Sequence, residues 1–335
     1  MIRGLLRSIL AVALATAATA AAPEQSGKIP AVGVLMLAAG PHDTVVEAFR
    51  RGLRELGYVE GRNIRIEHRS ALGNSEMLPQ LAEELVGLGV DVIVAGAVAP
   101  ARAAKQASNT VPIVVAFHDY DPVAAGLIDS FSRPGGNITG VFGRQSELAG
   151  KRIELLRELL PRVSRVAVLW DASSGAGSRA EVSRMQREEL EPVARSAGLN
   201  LQLIEVRAPY DFQVAFKAAK TSKVGAVIVL FSPVFYSSPW RARLAQAALA
   251  ARLPTIFQDP DNVEAGGLIS YGIDVADTWG RAAYFVDRVL KGAKPQDLPV
   301  EQVSKFKLVV NLKTAKALGL AIPESILLRT DEVIR

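Results

Sequence analysis

The sequence contains no cysteine. That absence excludes a disulfide framework, a thiol nucleophile and a thiolate metal site. It also excludes the lipid-anchored form of an exported bacterial protein, which needs a cysteine at the cleavage point. Histidine is scarce, with only His42, His68 and His118. The basic residues fall in scattered pairs such as Arg50-Arg51, Lys151-Arg152 and Lys305/Lys307. No basic stripe with interleaved aromatics is present, which argues against a nucleic-acid surface. Glycine-rich phosphate cradles are missing too: there is no G-x-G-x-x-G after the first strand and no G-x-x-x-x-G-K. A G-x-S-x-G nucleophile elbow is also absent. No apolar run approaches the roughly 20 residues that a membrane span needs.

What the chain does have begins at its start. Arg3 and Arg7 precede a short apolar run through Ile9, Leu10 and Val12, and Ala20-Ala21-Ala22 follows with small residues. This is the pattern of a cleaved secretory signal over residues 1–22. Combined with the missing cysteine, it predicts a protein free in the Gram-negative periplasm. The net charge of +5 includes Arg3 and Arg7, so removing them leaves about +3. The remaining ~310 residues exceed one ordinary domain.

From residue 29 short apolar runs alternate with amphipathic stretches. Ala31–Met36 reads as a buried strand, and Val45–Leu56 as a helix stopped by Gly57. Strands over 63–67, 90–94 and 112–117 alternate with helices over 78–88 and 100–107. The pattern then restarts. Helices over 148–160, 179–197, 211–219 and 242–251 alternate with strands over 165–170, 201–206, 226–231 and 254–257. A long helix from Trp279 to Leu290, a strand over 307–311 and a short helix from Thr314 close the chain. Strand–helix alternation implies parallel sheets with right-handed crossovers. The predicted fold is therefore α/β, with two lobes joined by a hinge that the chain crosses several times. The first lobe is expected over 29–145 plus about 275–300. The second is expected over 146–274 plus about 301–335.

In open α/β sheets ligands sit beyond the carboxyl ends of the strands. The loops that follow strands therefore supply the candidate ligand-binding residues. In the first half these are Gly40, His42, Ala97, His118, Tyr120 and Asp121. In the second half they are Ser173, Ser232, Phe235, Asp259 and Tyr271. Ser173 and Ser232 offer hydroxyls to a polar solute. Phe235 and Tyr236 suit ligand stacking or core packing equally. Asp121-Pro122 has the form of a helix start, and a helix N-terminus at a cleft favours an anionic group. His42-Asp43 and His118-Asp119 offer imidazole and carboxylate groups for a metal-assisted enzyme, but no metal site or catalytic set is assigned and no cofactor is expected.

Longer motifs carry a resemblance. Asp121-Pro122-Val123, Gly126-Leu127-Ile128 and Ser132-Arg133-Pro134-Gly135-Gly136-Asn137-Ile138-Thr139-Gly140-Val141 form the main signature. Gly57-Tyr58-Val59-Glu60-Gly61-Arg62-Asn63, Lys151–Leu156, Glu264–Gly272, Leu290–Pro295 and Asn311–Gly319 agree with it. Together, from about residue 29 to 335, the chain resembles the tryptophan/tyrosine-type family of ABC transporter substrate-binding proteins. The resemblance implies a type I periplasmic-binding fold and a small solute, an amino acid or other small carboxylate, held between the lobes. It implies a monomer without enzymatic activity. The partner it implies is a membrane permease whose ATPase is a separate subunit. A ligand-presenting sensory module would share the same fold. Two departures bear on the ligand: Tyr120 stands where a small polar residue often precedes the Asp-Pro, and Gly96–Pro100 is more apolar than usual.

Overall fold

The computed structural model describes residues 28–116, 121–143, 148–172, 178–232, 234–303 and 305–335. The expected signal segment, 1–22, lies outside the described residues, as do His118, Tyr120 and Ser173.

The first half runs β1 (Ala31–Met36), α1 (Thr44–Glu55), β2 (Arg65–Ser70), α2 (Leu78–Gly87), β3 (Val92–Ala95), α3 (Val98–Ala107), β4 (Ile113–Val115) and β5 (Ile138–Phe142). The second half runs α4 (Ala149–Leu159), β6 (Arg165–Asp171), α5 (Ser178–Ser196), β7 (Asn200–Val206), α6 (Phe212–Thr221), β8 (Ala226–Val229), α7 (Ser238–Ala251), β9 (Thr255–Phe257), α8 (Pro260–Glu264) and β10 (Ile269–Ile273). The chain ends with α9 (Val275–Leu290), β11 (Glu301–Gln302), β12 (Phe306–Asn311), α10 (Leu312–Leu318), α11 (Glu324–Leu327) and β13 (Glu332–Ile334).

Two sheets result. The first has the order β11-β5-β4-β3-β1-β2 and is parallel throughout; the second has the order β13-β12-β10-β9-β8-β6-β7 and is parallel except where β12 meets β10. Their central strands, such as β1, β3 and β8, are buried at every position, as parallel strands covered by helices on both faces must be. The chain crosses between the sheets three times, between β5 and α4, between β10 and α9, and between β11 and β12. The protein is thus an α/β chain of two Rossmann-like lobes on a multi-strand hinge. Glu301 and Gln302 pair with Val141 and Phe142 of β5 in the first sheet. The chain rejoins the second sheet only at Phe306.

Helix α9 closes the first lobe against α1. The two approach so closely that a Cβ on Gly52 would stand 2.5 Å from the Gly280 carbonyl oxygen. Trp279 meets Phe49 edge-on with ring centroids 6.3 Å apart. One cluster of buried apolar residues contains Val34, Met36 and Trp279 from the first lobe and Phe231, Phe235 and Tyr236 from the second. The lobes therefore pack against each other in this structure.

Candidate functional site

The carboxyl ends of β1 and β3 face those of β8 and β9, and the loops after them enclose a cavity of about 50 Å³. Its first-lobe wall is Met36 to Ala39, Asp43, Gly96 and Ala97, joined by Val275 and Trp279 from the start of α9. Phe231, Tyr236, Ser237, Arg241 and Asp259 form the opposite wall. Gly96 is needed there: a Cβ at this position would lie 2.7 Å from the Met36 Sδ and 2.9 Å from the Trp279 ring. Its absence lets both side chains pack down onto the loop.

The polar groups are few. Asp259 is 4% exposed and accepts a hydrogen bond at 2.9 Å from the Asp261 amide. Burial pushes its carboxyl well above the usual range, and the neighbouring Asp261 charge adds to this against the pull of Arg241. Arg241 is 8% exposed and holds Asp261 at 2.9 Å, so its charge is engaged. The Arg241 Nε has no partner among the described residues. Helix α3 opens into the same space with Ala97 as its cap residue, which supplies no side-chain hydrogen bond.

Of the expected residues, the cavity brings together Ala97 and Asp259. Gly40 lies in the adjoining turn, where its carbonyl accepts from the Asp43 amide at 3.1 Å. His42 points outward, 89% exposed and 3.8 Å from Glu47. Asp121 caps a turn: its Oδ1 accepts from the Val123 and Ala124 amides at 2.9 and 3.2 Å. The expected helix does not continue, because Gly126 turns the chain away at φ +66°. Ser232 is buried and donates to Asp171 at 2.7 Å, and the Tyr210 hydroxyl donates to the same carboxylate at 3.3 Å. Phe235 is fully buried between Tyr210 and Phe212, with centroids 5.9 and 5.4 Å away. Tyr271 is half-buried on β10, and its carbonyl accepts from Arg152 at 2.8 Å. No group of three side chains suited to hold a metal occurs among the described residues.

Sequence reasoning missed Arg241 and Trp279, and it offered Asp43 only as a carboxylate beside His42 for a metal. Arg241 reads as a solvated helix residue, and its partner lies twenty positions on. Trp279 lies one turn into α9, which follows β10 almost directly.

A larger groove of about 590 Å³ lies between α1 and α9 beside β11. Arg281 on its wall is satisfied by Glu301 at 2.5 Å and stacks on Tyr284 at 3.9 Å. This groove belongs to the first lobe and the adjacent crossing, outside the cleft.

The family model for ABC transporter substrate binding protein matches residues 31–334. The chain belongs to that family. A tyrosine-binding protein of Clostridioides difficile (strain R20291) is 28% identical over 295 residues, covering 86% of this chain and 81% of that protein. Among solved structures, the ABC domain from Streptococcus pneumoniae in complex with L-Trp is 30% identical with a TM-score of 0.80. It covers 92% of this chain and 100% of that one. A conserved domain protein of Vibrio cholerae is 30% identical with a TM-score of 0.78, covering 91% of this chain and 100% of that one. The chain is therefore a solute-binding receptor of the ABC importer type.

Proposed function

We propose that this receptor takes an α-amino acid with an apolar or aromatic side chain. The observation that carries the reading is Asp259, a buried carboxylate in a cavity whose other carboxylate, Asp43, is taken up by the Val45 and Ser238 amides and whose apolar lining is Met36, Phe231, Tyr236, Val275 and Trp279. A buried carboxylate with its neighbouring cation already engaged favours a ligand that brings its own positive charge. The ammonium group of an amino acid does this, and the apolar walls suit its side chain. Its carboxylate is served by the amides at the start of α3, whose cap residue leaves them to a ligand. The relatives that bind tyrosine or hold L-Trp support the same class.

Solute entry requires the lobes to part, since the enclosed space is small, and the hinge allows that by rotation. Closure then follows only as far as the solute binds the closed form better than the open one. In this reading the protein works outside the cytoplasmic membrane as a monomer, performs no chemical step, and delivers the solute to a permease with a separate ATPase. The first lobe comprises 29–143 and about 275–303, and the second comprises 148–274 and about 305–335.

A thermal-shift screen of the purified protein against the common amino acids and their des-amino acids tests this. At a ligand concentration of about 100 Kd, binding adds roughly 2.7 kcal/mol of stability, a rise of several degrees. The expected result is a rise with apolar and aromatic amino acids and none with 3-phenylpropionate or indole-3-propionate. Equal rises with the des-amino acids would refute the assignment of Asp259.

A further inference from the structure

Asp43 joins the two lobes through one side chain. It lies in the turn before α1 and is 4% exposed. Its Oδ1 faces its own helix, accepting from the Val45 amide at 3.5 Å. Its Oδ2 reaches the second lobe and accepts from the Ser238 amide at 2.9 Å. Ser238 is the first residue of α7, and that helix has no cap of its own. Its cap residue, Ser237, makes no capping bond and donates its hydroxyl to the Val234 carbonyl at 2.8 Å. The next residue, Pro239, has no N–H. The Trp240 and Arg241 amides turn back to the Ser237 carbonyl. The one amide that α7 presents at its start is thus capped by a carboxylate from the other lobe.

A second bond runs alongside. Arg241, one turn into α7, donates to the Thr44 hydroxyl at 3.4 Å.

We propose that Asp43 is a closure latch: its carboxylate is a shared N-cap for α1 and α7, and the α7 half of that cap exists only while the lobes are together. Opening leaves the start of α7 to water. The closed form is then favoured by one charge-assisted hydrogen bond and by the dipole of a 14-residue helix. Asp43 acts through lobe position and is a positioning residue, so the affinity for any solute scales with it. This rests on the receptor reading only for the motion itself.

The missing cysteines make the test direct, because single cysteines can be placed without background labelling. Gln80 on α2 and Lys217 on α6 are exposed and follow the outer-edge strands β2 and β7, far from the crossings. Spin labels at Q80C and K217C report the lobe separation by pulsed electron resonance. Two variants remove the bond from opposite ends. Asp43→Ala deletes the acceptor. Ser238→Pro deletes only the donor, since proline suits the first helical position and the extended backbone of Ser237 (ψ 151°) tolerates a following proline.

In ligand-free protein each variant lowers the ratio of short to long distances about tenfold, as expected for one hydrogen bond to a charged group. The double variant falls no further than either single one. The latch is refuted by a Ser238→Pro ratio equal to wild type, by additive effects in the double variant, or by a wild type without a short distance. Added L-tryptophan or L-tyrosine raises the ratio in wild type and in Ser238→Pro. If neither amino acid changes it anywhere, the ligand reading fails and the latch still stands or falls on the ligand-free distances.

Discussion

Replacing Asp259 by asparagine separates the two roles of a charge in a receptor, binding and cost. The swap keeps the shape and keeps an oxygen to accept the Asp261 amide at 2.9 Å. It removes only the ionised form. A hydrogen bond to a charged group contributes about 1.5–3 kcal/mol net, so an ammonium ligand should bind roughly ten- to a hundredfold more weakly to the variant. Stability of the empty protein should move the other way. Burial holds the folded-state pKa of Asp259 above its unfolded value. The sign follows: the folded protein gains from the proton below the unfolded pKa, and that gain is lost as pH rises through the folded value. At neutral pH the buried carboxyl is a burden that asparagine lacks, because burial disfavours its charged form. The variant should then be more stable by about 1 kcal/mol, the usual gain from relieving a destabilised functional group. The difference should begin to shrink toward about pH 4, where the unfolded-state carboxyl starts to take up its proton as well. Thermal unfolding from about pH 4 to 8, paired with titration of an amino acid that raises the melting temperature, checks both halves. A variant that binds as wild type does, or that is less stable at neutral pH, would refute the reasoning.

Two further perturbations probe the frame around the site. Gly52→Ala should destabilise the protein by up to about 2 kcal/mol in chemical denaturation, because the new methyl meets the Gly280 carbonyl at 2.5 Å and the Ala283 methyl at 2.9 Å. Overpacking of this kind costs about 1–3 kcal/mol, and helix propensity returns about 1; a stabilised variant would contradict the close α1–α9 contact. His68 is held neutral in the folded state, its pKa lowered to about 4 by burial first and by Arg50 and Arg69 next. Its folded pKa lies below the unfolded one, so it contributes stability above about pH 6.5 that is lost as pH falls toward about 4. His68→Gln should remove about 1–2 kcal/mol of this acid sensitivity once partial exposure is allowed for, and unchanged slopes of stability against pH would refute it.

The central strands were legible because a strand covered on both faces must be apolar at every position. Ala31–Met36 falls where the apolar run predicts it. The edge strand β2 was not: it carries Arg65, Glu67, His68 and Arg69, and it begins two residues later than its alternation suggests. The two-residue β11 has no pattern of its own and is defined only by pairing with β5. Helix α7 was expected from Ala242 but starts at Ser238, because Ser-Ser-Pro reads as loop. That hidden first turn carries Ser238 and Arg241, the two residues that reach the first lobe. In the candidate site, Ala97 and Asp259 were reachable by the rule that ligands gather after strands. Asp43 was read only as a carboxylate beside His42, since its partner amide lies 195 positions away and a single sequence holds no trace of that pairing.

The proposed receptor closes its lobes around an ammonium-bearing apolar solute. Isothermal titration of the purified protein with matched pairs, L-phenylalanine against 3-phenylpropionate and L-tryptophan against indole-3-propionate, tests it most directly. At least one amino acid should bind at one site per chain with a negative heat-capacity change from the buried apolar surface, and its des-amino partner should bind at least tenfold more weakly. Binding of both partners with equal affinity, or of neither amino acid while a small carboxylate without an amine binds, would contradict the account.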